Sequence, residues 1–295
     1  MNIKKTTVLL LLLSSFIFAQ PKLTPIKVSL NVDNIKLMSN WYQKNLNFKI
    51  DTIITSPTVN AKSILLKKNN FWIELIENKK AVRESTLSLP EGYRVINGYS
   101  KLGFAVDNLN IIYKHLKKNG VSIFREISKG ELFDGNYFII TDPEGNYLQF
   151  FCNVIKNTNI KNLKLKPFII SKMVGNIYDS IDWYKNNFGF KESESLEFPD
   201  QNLKIAFIEN NGFYFELIQT NVSLNKSLVN FPKGKDDLLG FVNLSFFSEQ
   251  FENLYQKSKF LKLDFFTELQ NENLKYTSKF FILKDPSESL LEICN

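Results

Sequence analysis

The sequence states one theme twice. Asn40-Trp41-Tyr42-Gln43-Lys44-Asn45-Leu46-Asn47-Phe48-Lys49 returns as Asp182-Trp183-Tyr184-Lys185-Asn186-Asn187-Phe188-Gly189-Phe190-Lys191, 142 residues further on. Phe71 to Ile76 returns as Phe213 to Ile218, and Asp142-Pro143 through Gln149-Phe150 returns as Asp285-Pro286 through Glu292-Ile293. A period of this length is far beyond the roughly 20–50 residues of a solenoid unit. A chain of 295 residues can hold two domains, each with a core of its own. The expected organisation is therefore a duplicated domain, with residues 20–152 as the first copy, 153–164 as an Asn/Lys-rich linker and 165–295 as the second. Paired positions in the copies then help to separate what shape requires from what chemistry requires.

Hydrophobic residues make up 44% of the chain, with 27 Phe and 11 Tyr, which is the composition of a folded protein rather than a disordered one. The net charge is +7, but lysines and carboxylates are interspersed and no Arg-rich stripe exists, so nucleic acid is not an expected partner. Residues 1–19 have the grammar of a cleavable signal peptide: Lys4 and Lys5, then apolar Val8 to Phe18, then the small Ala19 before Gln20. The apolar run falls short of the ~20 residues that span a bilayer. Export to the periplasm or beyond, without a stable membrane span, is the expectation. Cys152 and Cys294 close the two copies and are expected to be free thiols.

Each copy reads as βαβββ twice. The first has a strand at Ile26–Val32, a helix at Ile35–Leu46, strands near Asp51–Ile54, Ser63–Lys67 and Phe71–Glu77, and a loop around Pro90-Glu91-Gly92. A strand at Lys101–Val106, a helix at Leu109–Lys118 stopped by Asn119-Gly120, and three strands ending at Phe151 follow. Asp142-Pro143-Glu144-Gly145 has Asp, Pro and Gly at the first, second and fourth places of a type I turn. Trp41 and Trp183 are expected at equivalent core-facing positions.

These motifs resemble the vicinal oxygen chelate superfamily of glyoxalases, bleomycin-resistance proteins and extradiol dioxygenases. Ser180-Ile181-Asp182-Trp183-Tyr184 with Phe188-Gly189-Phe190 is similar to its Ser-x-x-Phe-Tyr and Leu-Gly-Phe signature. Asp142-Pro143-Glu144-Gly145-Asn146-Tyr147-Leu148-Gln149 is similar to its Asp-Pro-x-Gly-Asn-x-x-Glu. The resemblance covers residues 24–152 and 165–295. It implies an α+β fold of two tandem glyoxalase-like domains, each of paired βαβββ modules forming a half-open barrel. It also implies ligand positions on the first, fourth, fifth and eighth strands of each copy. Carried across, these fall on Lys27, Glu74, Lys101 and Gln149 in the first copy, and on Ile169, Glu216, Asn243 and Glu292 in the second.

Neither set contains a histidine. The only one in the chain, His115, lies among lysines on a helix, as a solvated surface residue would. An ammonium ion cannot coordinate a metal, so no cofactor is expected in the first copy. Glu216, Asn243 and Glu292 leave an oxygen-only set that would suit at most a hard divalent cation. Alternation along the strands puts Lys27 with Ser29 and Asn31, Glu74 with Trp72 and Ile76, and Gln149 with Tyr147 and Phe151.

Lys27 and Lys101 are expected to converge on Glu74, either as a structural ion pair or as a pocket for an anionic organic ligand covered by Trp72, Tyr147 and Phe151. Glu216 and Glu292 are expected to form a carboxylate pair. Three functions remain open on these residues: an exported protein that binds a small organic ligand, an enzyme working through a hard cation or an acid/base pair at Glu216 and Glu292, and an interaction module with degenerate pockets.

Overall fold

The computed structural model describes residues 20–56, 61–81, 98–130, 134–153, 160, 163–220, 238–271 and 275–295. The leader at 1–19, the Pro90-Glu91-Gly92 loop and most of the Asn153–Lys164 linker lie outside them. Four βαβββ modules follow one another. The first comprises β1 (Thr24–Val32), α1 (Ile35–Leu46), β2 (Lys49–Ser56), β3 (Ala61–Lys68) and β4 (Phe71–Glu77). The second comprises β5 (Gly98–Val106), α2 (Leu109–Lys118), β6 (Ile123–Lys129), β7 (Asn136–Thr141) and β8 (Tyr147–Cys152). The third comprises β9 (Leu165–Met173), α3 (Ile177–Phe188), β10 (Lys191–Phe198), β11 (Leu203–Asn210) and β12 (Phe213–Thr220). The fourth comprises β13 (Gly240–Phe247), α4 (Phe251–Phe260), β14 (Phe265–Asn271), β15 (Lys279–Lys284) and β16 (Leu290–Cys294).

Local chemistry sets the helix ends. Asn34, Asn108 and Asn176 accept hydrogen bonds from backbone N–H groups in the first turns of α1, α2 and α3, satisfying donors that no helical carbonyl can reach. α1 and α3 stop at equivalent residues, Asn47 (φ 58°) and Gly189 (φ 71°), both in the left-handed region that terminates helices. Ile35, Met38, Tyr42 and Leu46 recur at helical spacing and are buried. Trp41 and Trp183 do occupy equivalent places: each is partly buried against the core and packs edge-on to the following tyrosine, at 5.1 and 4.9 Å.

The strands form two open eight-stranded sheets. Sheet one runs β14-β15-β16-β13-β1-β4-β3-β2, and sheet two runs β10-β11-β12-β9-β5-β8-β7-β6. Each sheet thus joins modules from different repeats, the first with the fourth and the second with the third. The seams are antiparallel, β1 against β13 and β5 against β9. The first strand of a module is bonded on one side to its own module, β1 to β4 and β5 to β8. The seam covers the edge left open on the other side.

One face of each sheet packs on the helices. Val28, Leu30 and Val32 enter the hydrophobic core, while Lys27, Ser29 and Asn31 face the opposite side. Two hydrogen bonds from the repeated motifs tie the sheets together. The Tyr42 hydroxyl on α1, whose module lies in sheet one, donates to Asp142 at 3.2 Å in the β7–β8 turn of sheet two. Tyr184 on α3 donates to Asp285 in the β15–β16 turn at 2.7 Å. The Trp-Tyr and Asp-Pro motifs are therefore two ends of one latch, which accounts for their joint recurrence.

The two latches are completed differently. Asp142 accepts from the Asn146 side chain (2.8 Å) and from the backbone N–H groups of Glu144 and Asn146. Serine stands at the equivalent position 289: Asp285 keeps the two backbone donors, from Ser287 and Ser289, but in place of the amide forms an ion pair with Lys172, which is fully buried. Leu30 holds the place of Lys172 in the first repeat.

Candidate functional site

The exchange of modules regroups the positions carried over from the family. Sheet one collects Lys27 (β1), Glu74 (β4), Asn243 (β13) and Glu292 (β16), and sheet two collects Ile169 (β9), Glu216 (β12), Lys101 (β5) and Gln149 (β8). Registers show the equivalence: Ser29 pairs with Glu74 and Asn243, just as Ser171 pairs with Glu216 and Lys101. Lys27 and Lys101 consequently do not converge on Glu74, because they belong to different sheets. Glu216 and Glu292 form no carboxylate pair for the same reason. Among the described residues, the two lysines expected against one carboxylate give way to Lys27 with Glu74 and Glu292 in sheet one and Lys101 with Glu216 in sheet two.

In sheet one, the Lys27 ammonium lies 3.0 Å from Glu74, 3.2 Å from Glu292 and 2.7 Å from the Tyr276 hydroxyl. Ser29 donates to the same Glu74 oxygen at 2.8 Å, and the Asn243 amide donates to Glu292 at 2.8 Å. Burial opposes the charge on Lys27, but the Glu292 and Glu74 carboxylates outweigh it and hold the ammonium well above its ordinary pKa. Burial would likewise raise Glu74, yet Lys27 and the Ser29 hydroxyl keep its carboxyl below the usual range. Trp72 closes this side, 6.1 Å from the Tyr276 ring and hydrogen-bonded to Asp51 at 3.3 Å. Burial, reinforced by Glu292, pushes the Cys294 thiol well up, so it is no ready nucleophile.

Sheet two repeats the Ser–Glu–Lys unit with the lysine supplied from another strand. Lys101 lies 3.0 Å from Glu216, which also accepts from Ser171. Its lysine is more open than the counterpart, 12% exposed against 4% for Lys27, while Glu216 and Glu74 are similarly exposed at 14% and 18%. Around it, Phe151 stacks on Phe168 at 5.0 Å with rings nearly parallel, and Phe168 meets Tyr214 at 5.2 Å. Tyr147 contacts Phe124 at 4.7 Å. The Gln149 side chain is buried, and its Oε1 has no hydrogen-bond donor among the described residues. Gly103 faces this point: a Cβ there would lie 2.3 Å from the Ile169 side chain.

These donor sets do not fit a divalent cation. An ammonium stands between the carboxylates of sheet one, and Ile169 supplies no ligand atom in sheet two. Among the described residues, no three His, Cys, Asp or Glu side chains are grouped as a metal would require. The weaker cation set expected at Glu216, Asn243 and Glu292 is divided between the sheets. His115 lies on α2 next to Asn119, away from both clusters and partly buried. Cys152 and Cys294 are buried thiols that form no disulfide.

Sequence reasoning missed Ser171, Phe168 and Tyr276. Ser171 was within reach, being one repeat period from Ser29. Tyr276 lies between β14 and β15 in a segment with no periodic signal, and Phe168 lies at a register shift between β5 and β9.

Residues 24–150 match the sequence model of the Glyoxalase/Bleomycin resistance protein/Dioxygenase superfamily. That segment, 127 of the 295 residues, carries the sequence pattern of the superfamily. The glyoxalase-like fold extends over the rest. A glyoxalase I mutant from Zea mays superposes with a TM-score of 0.66 at 16% identity, covering 93% of this chain and 94% of that one. A putative dioxygenase from Bacillus subtilis does so with a TM-score of 0.68 at 13% identity, covering 94% and 86%. At these identities the likeness is one of fold. No curated protein matches the sequence. Within this glyoxalase-like frame, the lysines at Lys27 and Lys101 set the chain's two clusters apart from a metal-ligand set.

Proposed function

We propose that this protein is an exported, metal-independent member of its superfamily that binds a small aromatic molecule on the face of sheet two opposite its helices. The leader at residues 1–19 supports export, and the Lys101–Glu216 pair supports independence from a metal. The observation that carries the ligand reading is Gln149. A buried amide oxygen without a partner costs roughly 1–3 kcal/mol, and this one faces the same side as the stacked Phe151–Phe168 pair. A planar ligand carrying a hydroxyl or amide N–H would satisfy Oε1 and lie against the rings. A ligand site built of aromatic surface with a few fixed polar groups has this character.

Because Lys101 is already paired with the Glu216 carboxylate, a neutral aromatic donor suits this face better than the anion expected from two lysines. Thermal-shift and calorimetric titration of the mature protein with phenol, benzamide and indole tests the reading. A probe at a hundred times its Kd should add ~2.7 kcal/mol of stability. Gln149→Leu should weaken such binding about tenfold, the equivalent of one hydrogen bond, and Glu292→Gln on sheet one should leave it unchanged. Absence of any shift with the whole panel, or affinity untouched by both Gln149→Leu and Phe151→Ala, would overturn it.

A further inference from the structure

We infer that Lys27 is a resident cation, occupying on sheet one the place between Glu74 and Glu292 that a hard divalent ion would otherwise take. The inference concerns a different sheet from the ligand face and does not depend on it. An ammonium carries three protons and accepts nothing, and three oxygens lie within 3.2 Å of this one, from Glu74, Glu292 and Tyr276. Its donors are thereby used up. Two further oxygens on the same face have no donor among the described residues: Asn243 Oδ1 and Ser245 Oγ, both buried. Ser245 sits directly across the ladders from both Lys27 and Glu292, and Asn243 beside Ser29.

The cluster thus holds more oxygen than one ammonium can satisfy, and it carries two negative charges against one positive. Five oxygens match the preference of Mn²⁺, Mg²⁺ or Ca²⁺ rather than Zn²⁺, and the one sulfur nearby, Cys294 Sγ at 3.1 Å from Glu292, is kept as a thiol by burial and by that carboxylate. The lysine side chain excludes such an ion in two ways. It fills the space between the carboxylates, and its charge repels a second cation in a poorly solvated place.

Lys27→Ala in the full mature chain tests this, with Mn²⁺ alone as the probe, followed by loss of its free-ion paramagnetic resonance signal and by calorimetry. The variant should bind one Mn²⁺ at least about tenfold more tightly than the unmodified protein, since ~1.4 kcal/mol of relieved repulsion suffices for that ratio. Lys27→Ala/Glu292→Gln should lose the gain. If Lys27→Ala does not fold by itself, Mn²⁺ should restore its folding in proportion to concentration, because an ion bound only by the native state stabilises that state. A folded Lys27→Ala with no gain in Mn²⁺ affinity would overturn the inference. So would an unfolded one that Mn²⁺ does not rescue, or an unmodified protein that already binds Mn²⁺ as tightly as the variant.

Discussion

The Lys27 ammonium lies 3.2 Å from the Glu292 carboxylate, so a single ion pair joins the first strand of the fold to the last. Both side chains are almost completely buried, and Glu74 shares the same ammonium at 3.0 Å. Pairs of this kind resist removal of one partner far more than removal of all, because the survivor is left charged and desolvated.

Lys27→Met should therefore destabilise the protein by about 3–5 kcal/mol, measured by urea denaturation at pH 7. Converting both acids as well, in Lys27→Met/Glu74→Gln/Glu292→Gln, should recover most of that loss. Equal instability of the single and triple variants would show that the cluster acts through shape rather than charge.

The same cluster sets a pH window. The folded pKa of Lys27 is raised, so its contribution is full below about 10.5, its unfolded value, and is lost as pH rises through the folded one. Glu74 has a folded pKa below its ordinary 4.5, so its contribution is present above that value and is lost as pH falls through the folded one. Glu74→Gln should flatten the acid limb of the melting-temperature profile below pH 4.5 and leave the limb above pH 10.5 to Lys27.

Asp142 should act with the opposite sign. Burial raises its carboxyl from 3.8 to about 6, against the pull of its hydrogen bonds to Asn146 and Tyr42. A raised acid gives its stability below the unfolded pKa and loses it as pH climbs from 3.8 to about 6. Asp142→Asn should thus gain on the unmodified protein by about 3 kcal/mol between pH 3.8 and 6. Parallel melting profiles for the two proteins over that range would exclude the effect.

The second latch offers a reconstruction. Lys172→Leu alone removes the cation beside buried Asp285 and should cost about 3–5 kcal/mol. Adding Ser289→Asn recreates the Leu30–Asp142–Asn146 arrangement of the first repeat and should return most of that stability. Chemical denaturation of the single and double variants decides whether the two latches are interchangeable.

Gly103→Ala should destabilise by roughly 1–3 kcal/mol, because its Cβ would meet the Ile169 side chain at 2.3 Å. Gly103→Ala/Ile169→Ala should be milder than the single change. Similar stability of the two would mean that β5 and β9 shift apart instead of clashing.

The sequence displayed the elements more clearly than their partners. α1 and α3 are capped by Asn34 and Asn176 and stopped at Asn47 and Gly189, so their limits are local and readable. Alternation in β1 correctly separated Lys27, Ser29 and Asn31 from Val28, Leu30 and Val32, because burial on one face fixes it. Which strand lies across the seam from β1 was not readable. β5 and β13 descend from the same repeated segment and offer similar edges, so periodicity cannot choose between them. That one choice moved Lys101 away from Lys27 and brought Glu292 in. Tyr276 was hidden for a different reason: an irregular segment carries no period from which a facing can be deduced.

The exchanged pairing also orders events at the ribosome. Sheet two is built from the uninterrupted middle of the chain, residues 98–220, and all its strands have been synthesised before the fourth module appears. Sheet one needs β1, made near the beginning, and β16, made last. The first module must therefore wait with the β1 edge unpaired while some two hundred residues emerge, and contacts so distant in sequence form slowly. A nascent chain stalled after β12 should carry one finished sheet and one open template, and its exposed edge is where a chaperone or a second chain would take hold.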